Sequence, residues 1–557
     1  MIALRTKYVI TALIVVGVGS LFPAMSQPVT EAPTGFDDNP IDDSSQDKID
    51  AHRGLKEVFD EVEEITPDGL GPVYNAQSCR ECHQNPVSGA ASQIVELRAG
   101  RSGRNGQFSF PVVELLGGDR IEGRTLINDR AICPEAQEHV PSDSNVQTNR
   151  LSLNILGDGL VEAMSDRSIL DRRDIQCHPK GTTNPRGTDP ICGVAIFVEI
   201  LEAQGTPNQR VGRFGWKDQH ASLLSFSADA YLNEMGITNS LQPDEVTQVC
   251  NPPVQPEESP STVREPNDQP ENGVADIDRF ATFMRSTKAP PRTMPENRRA
   301  SIVRGEDKFK AIGCELCHAQ TMFTSAAGTQ LNGGTYNVPP ELGSRAFHPF
   351  SDFLMHDVGT GDNVPLAPLE HFGREVALRL LRDDLQKSSL QGPQKSSLQV
   401  PLSDRERKIL AETVATLTGA IRTTIFPFAS PVDNVEVSEN IPFQFSDVCN
   451  PRSLANVDSP EKQVFYRVVF CTANKLRTPP LWGLHERSRF MHDGQSVTLQ
   501  DAIDRHRGEA RFVRQRYMTE LSDSEKADLL AFLDSLCHRR QEVSRAQALK
   551  RRRHDPH

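Results

Sequence analysis

The chain has no surplus of positive charge, no second long apolar run, and no C-x-x-C pair that lacks a following histidine. Each absence closes a class of function. A formal net charge of −14 over 557 residues argues against a general nucleic-acid binder. A thioredoxin-like redox pair stands in a βαβ setting and needs no histidine, so free-dithiol chemistry has no residues to carry it. The one apolar run of membrane interest, Tyr8 to Phe22, has 15 residues and is short for a span. Arg5 and Lys7 precede it, and Ala24 and Ser26 follow. Residues 1–26 therefore read as a secretory signal peptide cut before Gln27, with an uncleaved anchor as the alternative. Export would place the mature chain in the periplasm or outside the cell, not spanning the membrane, where leftover cysteines pair.

What is present in duplicate is C-x-x-C-H. Cys79, Cys82 and His83 form the first copy and Cys314, Cys317 and His318 the second. With 11 Cys and 15 His, chance supplies such a motif roughly 0.006 times per chain. Cysteines at i and i+3 share one face of a helical turn, so both sulfurs reach the two vinyl groups of one haem and the histidine reaches its iron. A zinc site would need four ligands meeting at one ion, but the two pairs lie more than 200 residues apart. Two covalently bound haem c groups are the expected cofactors.

Of the other seven cysteines, Cys177–Cys192 and Cys449–Cys471 close short loops and are the expected disulfides, with Cys537 left over. An acidic, flexible start (27–50) leads into an N-terminal c-type haem domain over 51–250, with insertions. A Pro-rich linker at 251–300 carries one short helix, Ala275–Arg285. A C-terminal haem domain over 301–540 holds an insertion at about 363–470, and 541–557 form a basic tail. The insertion contains a tandem repeat, "QKSSLQGP" then "QKSSLQVP", and a helix that Ser403 and Glu406 would cap. Ser522 and Glu525 predict a capped last helix, packed on the helix before the second motif. The expected fold is mainly α: two class I cytochrome c-like helical domains with long loop and β insertions.

The second axial position of each iron separates electron transfer from substrate chemistry. His178, His220, His348, His356, His371, His485, His492 and His506 are all candidates, and spacing does not choose among them.

The stretches "GLGPVYNAQSCRECH", "RFGWKDQHASLLSFSADAYLNEMGIT", "FHPFSDFLMHDVGTG" and "KLRTPPLWGLHERSRFMHDGQSVTLQDAIDRHRGEA" together resemble the di-haem oxidoreductase family, from about residue 50 to 540. That family is related more distantly to bacterial di-haem cytochrome c peroxidases and to the di-haem enzyme that matures methylamine dehydrogenase. The resemblance implies that His506, fourteen residues after His492, completes a bis-histidine haem with His318; His356 is the runner-up. It implies that Glu234 is an acid–base over the N-terminal haem, or else an ordinary helix-surface residue. Trp216 would be an electron relay, or else core packing. The glutamine of those peroxidases is replaced by Phe226, flanked by Ser225 and Ser227, and Gln219 lies too early; His220 is a second way to close that haem. Arg487 and Arg489 stand where the peroxidases bind calcium, so a calcium site is doubtful. The implied function is a secreted di-haem c-type oxidoreductase, electron transfer with peroxidase-type chemistry at the N-terminal haem. It would be fed by a small periplasmic donor of cytochrome c or cupredoxin type and act on hydrogen peroxide or an unknown substrate. The alternatives are a pure electron carrier with both haems six-coordinate, and an enzyme that oxidises a partner protein.

Overall fold

The computed structural model describes residues 28–36, 39–66, 68–102, 108–177, 191–203, 208–250, 274–365 and 472–536. The signal peptide, the tandem repeat, the helix capped by Ser403, Cys449–Cys471, Cys537, His178 and His371 lie outside them. No helix among the described residues is long and apolar enough to cross a membrane.

The expected mainly α fold of two class I cytochrome c-like domains is not what is found. The described chain is mixed α/β, with seven small sheets among its helices. The largest has Val95–Ser102 at its centre, antiparallel to Phe108–Ser109, Leu126–Ile127 and Val146–Leu151. In another, Thr30–Glu31 runs parallel to Arg345–Phe347, which pairs antiparallel with Met322–Phe323. Most of these strands have two or three residues, and several pair with partners far away in sequence. Alternation over two residues cannot be seen against the turn-rich sequence around it, so pattern reading registers only loops.

The helices came closer to expectation. Asp276–Ser286 matches the predicted linker helix within a residue. Ser522 and Glu525 form a reciprocal capping box on Asp523–Asp534. That helix crosses Arg299–Ile312 at Gly305, where a Cβ would collide with the Asp528 carbonyl. Phe309, Phe350, Tyr517 and Phe532 fill this second core. The largest core runs from Ile41 and Phe59 through Leu160, Phe214, Tyr231 and Phe283 to Tyr336 and Trp482, so it draws on both sides of the 251–273 segment. The Cys177–Cys192 disulfide is present; a second, Cys133–Cys250, closes 117 residues and had no signal in spacing.

Two cavities at the cysteine–histidine motifs

The second motif opens an apolar cavity of about 1470 Å³, its mouth included, walled by residues such as Phe309, Ile312, Leu481 and Leu533. Cys314, Cys317, His318 and His506 all face it. The His318 Nδ1–H donates to Phe350 O (3.1 Å) and the His506 Nδ1–H to Ala502 O (2.7 Å). Each bond fixes a tautomer and leaves Nε2 as the nitrogen for a metal. The two ring centres lie 6.4 Å apart. A metal–imidazole bond of about 2 Å, with the ring centre roughly 1 Å behind the nitrogen, puts two imidazoles on opposite sides of one metal roughly 6 Å apart. Burial pushes His318 down to about 4 and lowers His506, so both rings are neutral, as ligands must be.

His356 lines the same cavity but has no nitrogen to offer. Its Nε2 meets Asp352 Oδ2 and its Nδ1 Glu509 Oε2, each at 2.9 Å, and Lys475 holds the other Glu509 oxygen at 2.6 Å. Burial would lower His356, but Cys317 and Asp352 outweigh it and hold the ring well above the ordinary histidine value. His348 is exposed and bonds Thr321 and Glu31, and His485 pairs with Asp534. Arg487 and Arg489 both stand at the cavity, Arg489 exposed at its rim.

The first motif opens a second, more polar cavity, bounded by Cys82, His83, Glu96, Arg98, Arg150 and Glu234. His83 is the sole histidine among the described residues that line it, and no methionine does. Burial pushes His83 down to about 4. On the same wall, burial first and the Glu96 charge second push Glu234 up to about 8. Gln219, too early by spacing, reaches this wall, as does Phe226. Ser225 and Ser227 are turned away, bonded to Glu202 and to the Leu223 carbonyl. His220 is not on the wall; it sits 3.1 Å from Asp229 and packs on Phe226.

Glu234 arrives through the ends of its helix, Leu223–Met235. Ser222 caps the start, and the buried Glu162, held by Arg285, accepts from the Leu223 N–H at 2.9 Å. At the other end, Gly236 takes φ 72° and the Asn75 and Ala76 N–H groups donate to Glu234 O, docking the helix just before the first motif. A Cβ on Gly236 would stand 2.6 Å from Val73 O and 2.8 Å from Gly71 Cα. Gly236→Ala is therefore expected to cost more than the roughly 1–2 kcal/mol of a left-handed alanine alone, read as a fall in thermal midpoint.

Trp216 borders both cavities. Its Nε1–H donates to Leu151 O at 2.7 Å, the Leu151 N–H donates to His492 O at 2.6 Å, and the His492 ring lies 6.2 Å from the indole. Beside this wall, Lys217 Nζ is fully enclosed by oxygens: Thr472 O (2.8 Å), Ala473 O (3.1 Å), Lys475 O (2.8 Å) and Asp362 Oδ1 (2.8 Å). Arg150 holds the other Asp362 oxygen at 2.9 Å.

The sequence reading missed Glu96, Arg98, Arg150 and the Lys217–Asp362 pair. A faint signal existed for two of them, since Glu96 and Arg98 lie two apart in a strand and share a face.

The residues present fit a haem at each motif: two thiols three residues apart, a neutral imidazole beside them and a cavity in front, which both thiols line at the second motif but only Cys82 at the first, where Cys79 packs against the largest core. Burial raises Cys82 and Cys314 to about 12, the reverse of the thiolate that a metal-binding or redox cysteine needs. No curated protein matches the chain. Among solved structures, it is similar to hydrazine synthase of Kuenenia stuttgartiensis, pressurised with 20 bar of xenon, at 15% identity and a TM-score of 0.20. That likeness spans 49% of this chain and 58% of the other, and at such a score it carries no argument. The model of the family described as "Di-haem oxidoreductase, putative peroxidase" matches residues 136–382 and 466–536, which take in Trp216, Glu234, the second motif and His506 but not the first motif. With more than half its length matched, the chain belongs to that di-haem oxidoreductase family.

Proposed function

We propose that the chain is an exported c-type cytochrome with two covalently attached haems that reduces hydrogen peroxide at the N-terminal one. The observation that carries this is the asymmetry of the two cavities. One presents two facing imidazoles, His318 and His506. The other presents a single imidazole, His83, in a cavity shared with a carboxyl that holds its proton at neutral pH. Two imidazoles holding one haem would suit a closed electron carrier, and a single one would leave room for a small oxidant. Cys79, Cys82 and His83 would hold one haem and Cys314, Cys317, His318 and His506 the other; the haem at His83 would supply the redox chemistry that peroxide reduction needs.

The chain's own residues supply the rest. Breaking a peroxide bond requires a proton on the departing oxygen, and Glu234 has one to give. The Asn75 Nδ2–H holds the Glu234 carboxyl at 2.7 Å and fixes its direction. Trp216 lies in the wall between the cavities, which suits passage of electrons from the His318 side, where a small one-electron donor protein would dock.

Turnover of peroxide by the haem-loaded protein, with a reduced small cytochrome c as donor, tests the reading. Glu234→Gln is expected to lower kcat by about 10²–10⁴ with haem content unchanged. No turnover by the parent protein, with both haems low-spin in every redox state, would leave a plain electron carrier instead.

A further inference from the structure

The cavity at His83 holds a second carboxyl that the proton donor alone does not explain. We propose that Glu96 is the proton partner of Glu234: the two form a hydrogen-bonded pair sharing one proton, with Arg98 and Arg150 keeping the charge on Glu96. The inference rests on reading this cavity as the reacting site.

The geometry is built from a sheet. Glu96 and Arg98 project from one face of the strand Val95–Ser102, and Arg98 grips Glu96 through both oxygens, Nε at 2.9 Å and Nη2 at 2.8 Å. Arg150 lies directly across from Glu96 on the neighbouring strand, 4.0 Å away. Glu234 comes from the helix Leu223–Met235 to the same cavity wall, where Asn75 orients its carboxyl within the reach of Glu96. Two carboxyls in contact cannot both ionise, so one proton stays between them. Burial would raise Glu96, but Arg98 and then Arg150 hold it below the usual carboxylate range, so the proton sits on Glu234. The remaining charged or titratable groups on this wall are Asp229 on the same helix, Asp158 and Arg477 beyond it, and Cys82 and His83 from the motif. Asp158 is raised well above its ordinary value by burial and adds little negative charge.

A peroxide loses a proton from one oxygen and gains one on the other as its O–O bond breaks. A lone acid can only give. The pair supplies both functions: Glu96 accepts the first proton and Glu234 donates the second, which leaves as water. One transfer along their own hydrogen bond then restores the start. The other oxygen leaves as a second water, taking two electrons from the one-electron donor protein and two protons from solvent.

The test is infrared titration of the haem-loaded protein, following the C=O stretch of a protonated carboxyl and its shift in heavy water. The parent protein is expected to show a band that disappears as pH rises through about 8 and is missing in Glu234→Gln. In Glu96→Gln the midpoint should fall by about one unit or more, because Glu234 then faces Arg98 without a competing anion. A midpoint that stays put would mean that burial alone protonates Glu234 and would overturn the pairing, as would the absence of any such band in the parent. Arg98→Gln is the companion variant should Glu96→Gln not fold. It keeps both carboxyls, removes a clamp, and must move the midpoint upward; no movement would refute the assignment. The band requires no turnover, so a shifted midpoint in a protein inert toward peroxide would uphold the pair and sink the peroxidase reading alone.

Discussion

Replacing His506 by alanine is expected to convert the haem proposed at Cys314, Cys317 and His318 from low-spin to high-spin, visible in the optical and magnetic spectra of the oxidised protein. The expectation follows from ring centres 6.4 Å apart, with both Nδ1 atoms committed to backbone carbonyls. His356 cannot move in as a substitute, because both its nitrogens are held by carboxylates. His506→Met makes the complementary case. It should keep six ligands and raise the potential of that haem on the order of 0.1 V, a fraction of the roughly 0.8 V that axial ligands command. An alanine variant with an unchanged low-spin spectrum would remove His506 from the coordination sphere.

Lys217→Met is expected to cost about 3–5 kcal/mol, measured by denaturant unfolding, because it leaves Asp362 and three carbonyls facing an apolar side chain. The same variant should also lose a pH dependence. Burial, offset by Asp362 and reinforced by Arg150, brings folded Lys217 down to about 8, against about 10.4 for a lysine in the unfolded chain. Between those values the unfolded chain binds more protons at this site, so the contribution of Lys217 to stability rises with pH across that window. In Lys217→Met that rise should be gone. A variant with parental stability and slope would show that the enclosed ammonium contributes nothing net.

Residues that act locally were legible in the sequence, and those that act across it were not. The C-x-x-C-H triplets lie within five positions, and the Ser522–Glu525 cap within four. The family resemblance, carried by one short segment, pointed to His506 fourteen residues after His492, and the structure brings its ring to 6.4 Å from that of His318. Glu96 is the opposite case. It matters because a strand at 95–102, a strand at 146–151 and a helix at 223–235 converge, and a sequence pattern does not hold that convergence. The same reason defeated the fold class, since Thr30–Glu31 becomes a strand through Arg345 and Ala346, more than 300 residues away. Gln219 was set aside on spacing, yet the turn at Gly215, φ 74°, brings it back to the cavity wall.

The largest core gathers side chains from Ile41 to Trp482. A ribosome delivers the chain N-terminus first, so this core cannot close until residue 482 has emerged. Nascent chains arrested before that point are expected to remain sensitive to protease. The first C-x-x-C-H emerges some 400 residues earlier and waits in an unfinished fold. On the proposed export, a chain threaded N-terminus first would carry Cys79 and Cys82 across the membrane well before the core closes, a long opening for haem attachment there and a much shorter one at Cys314 and Cys317.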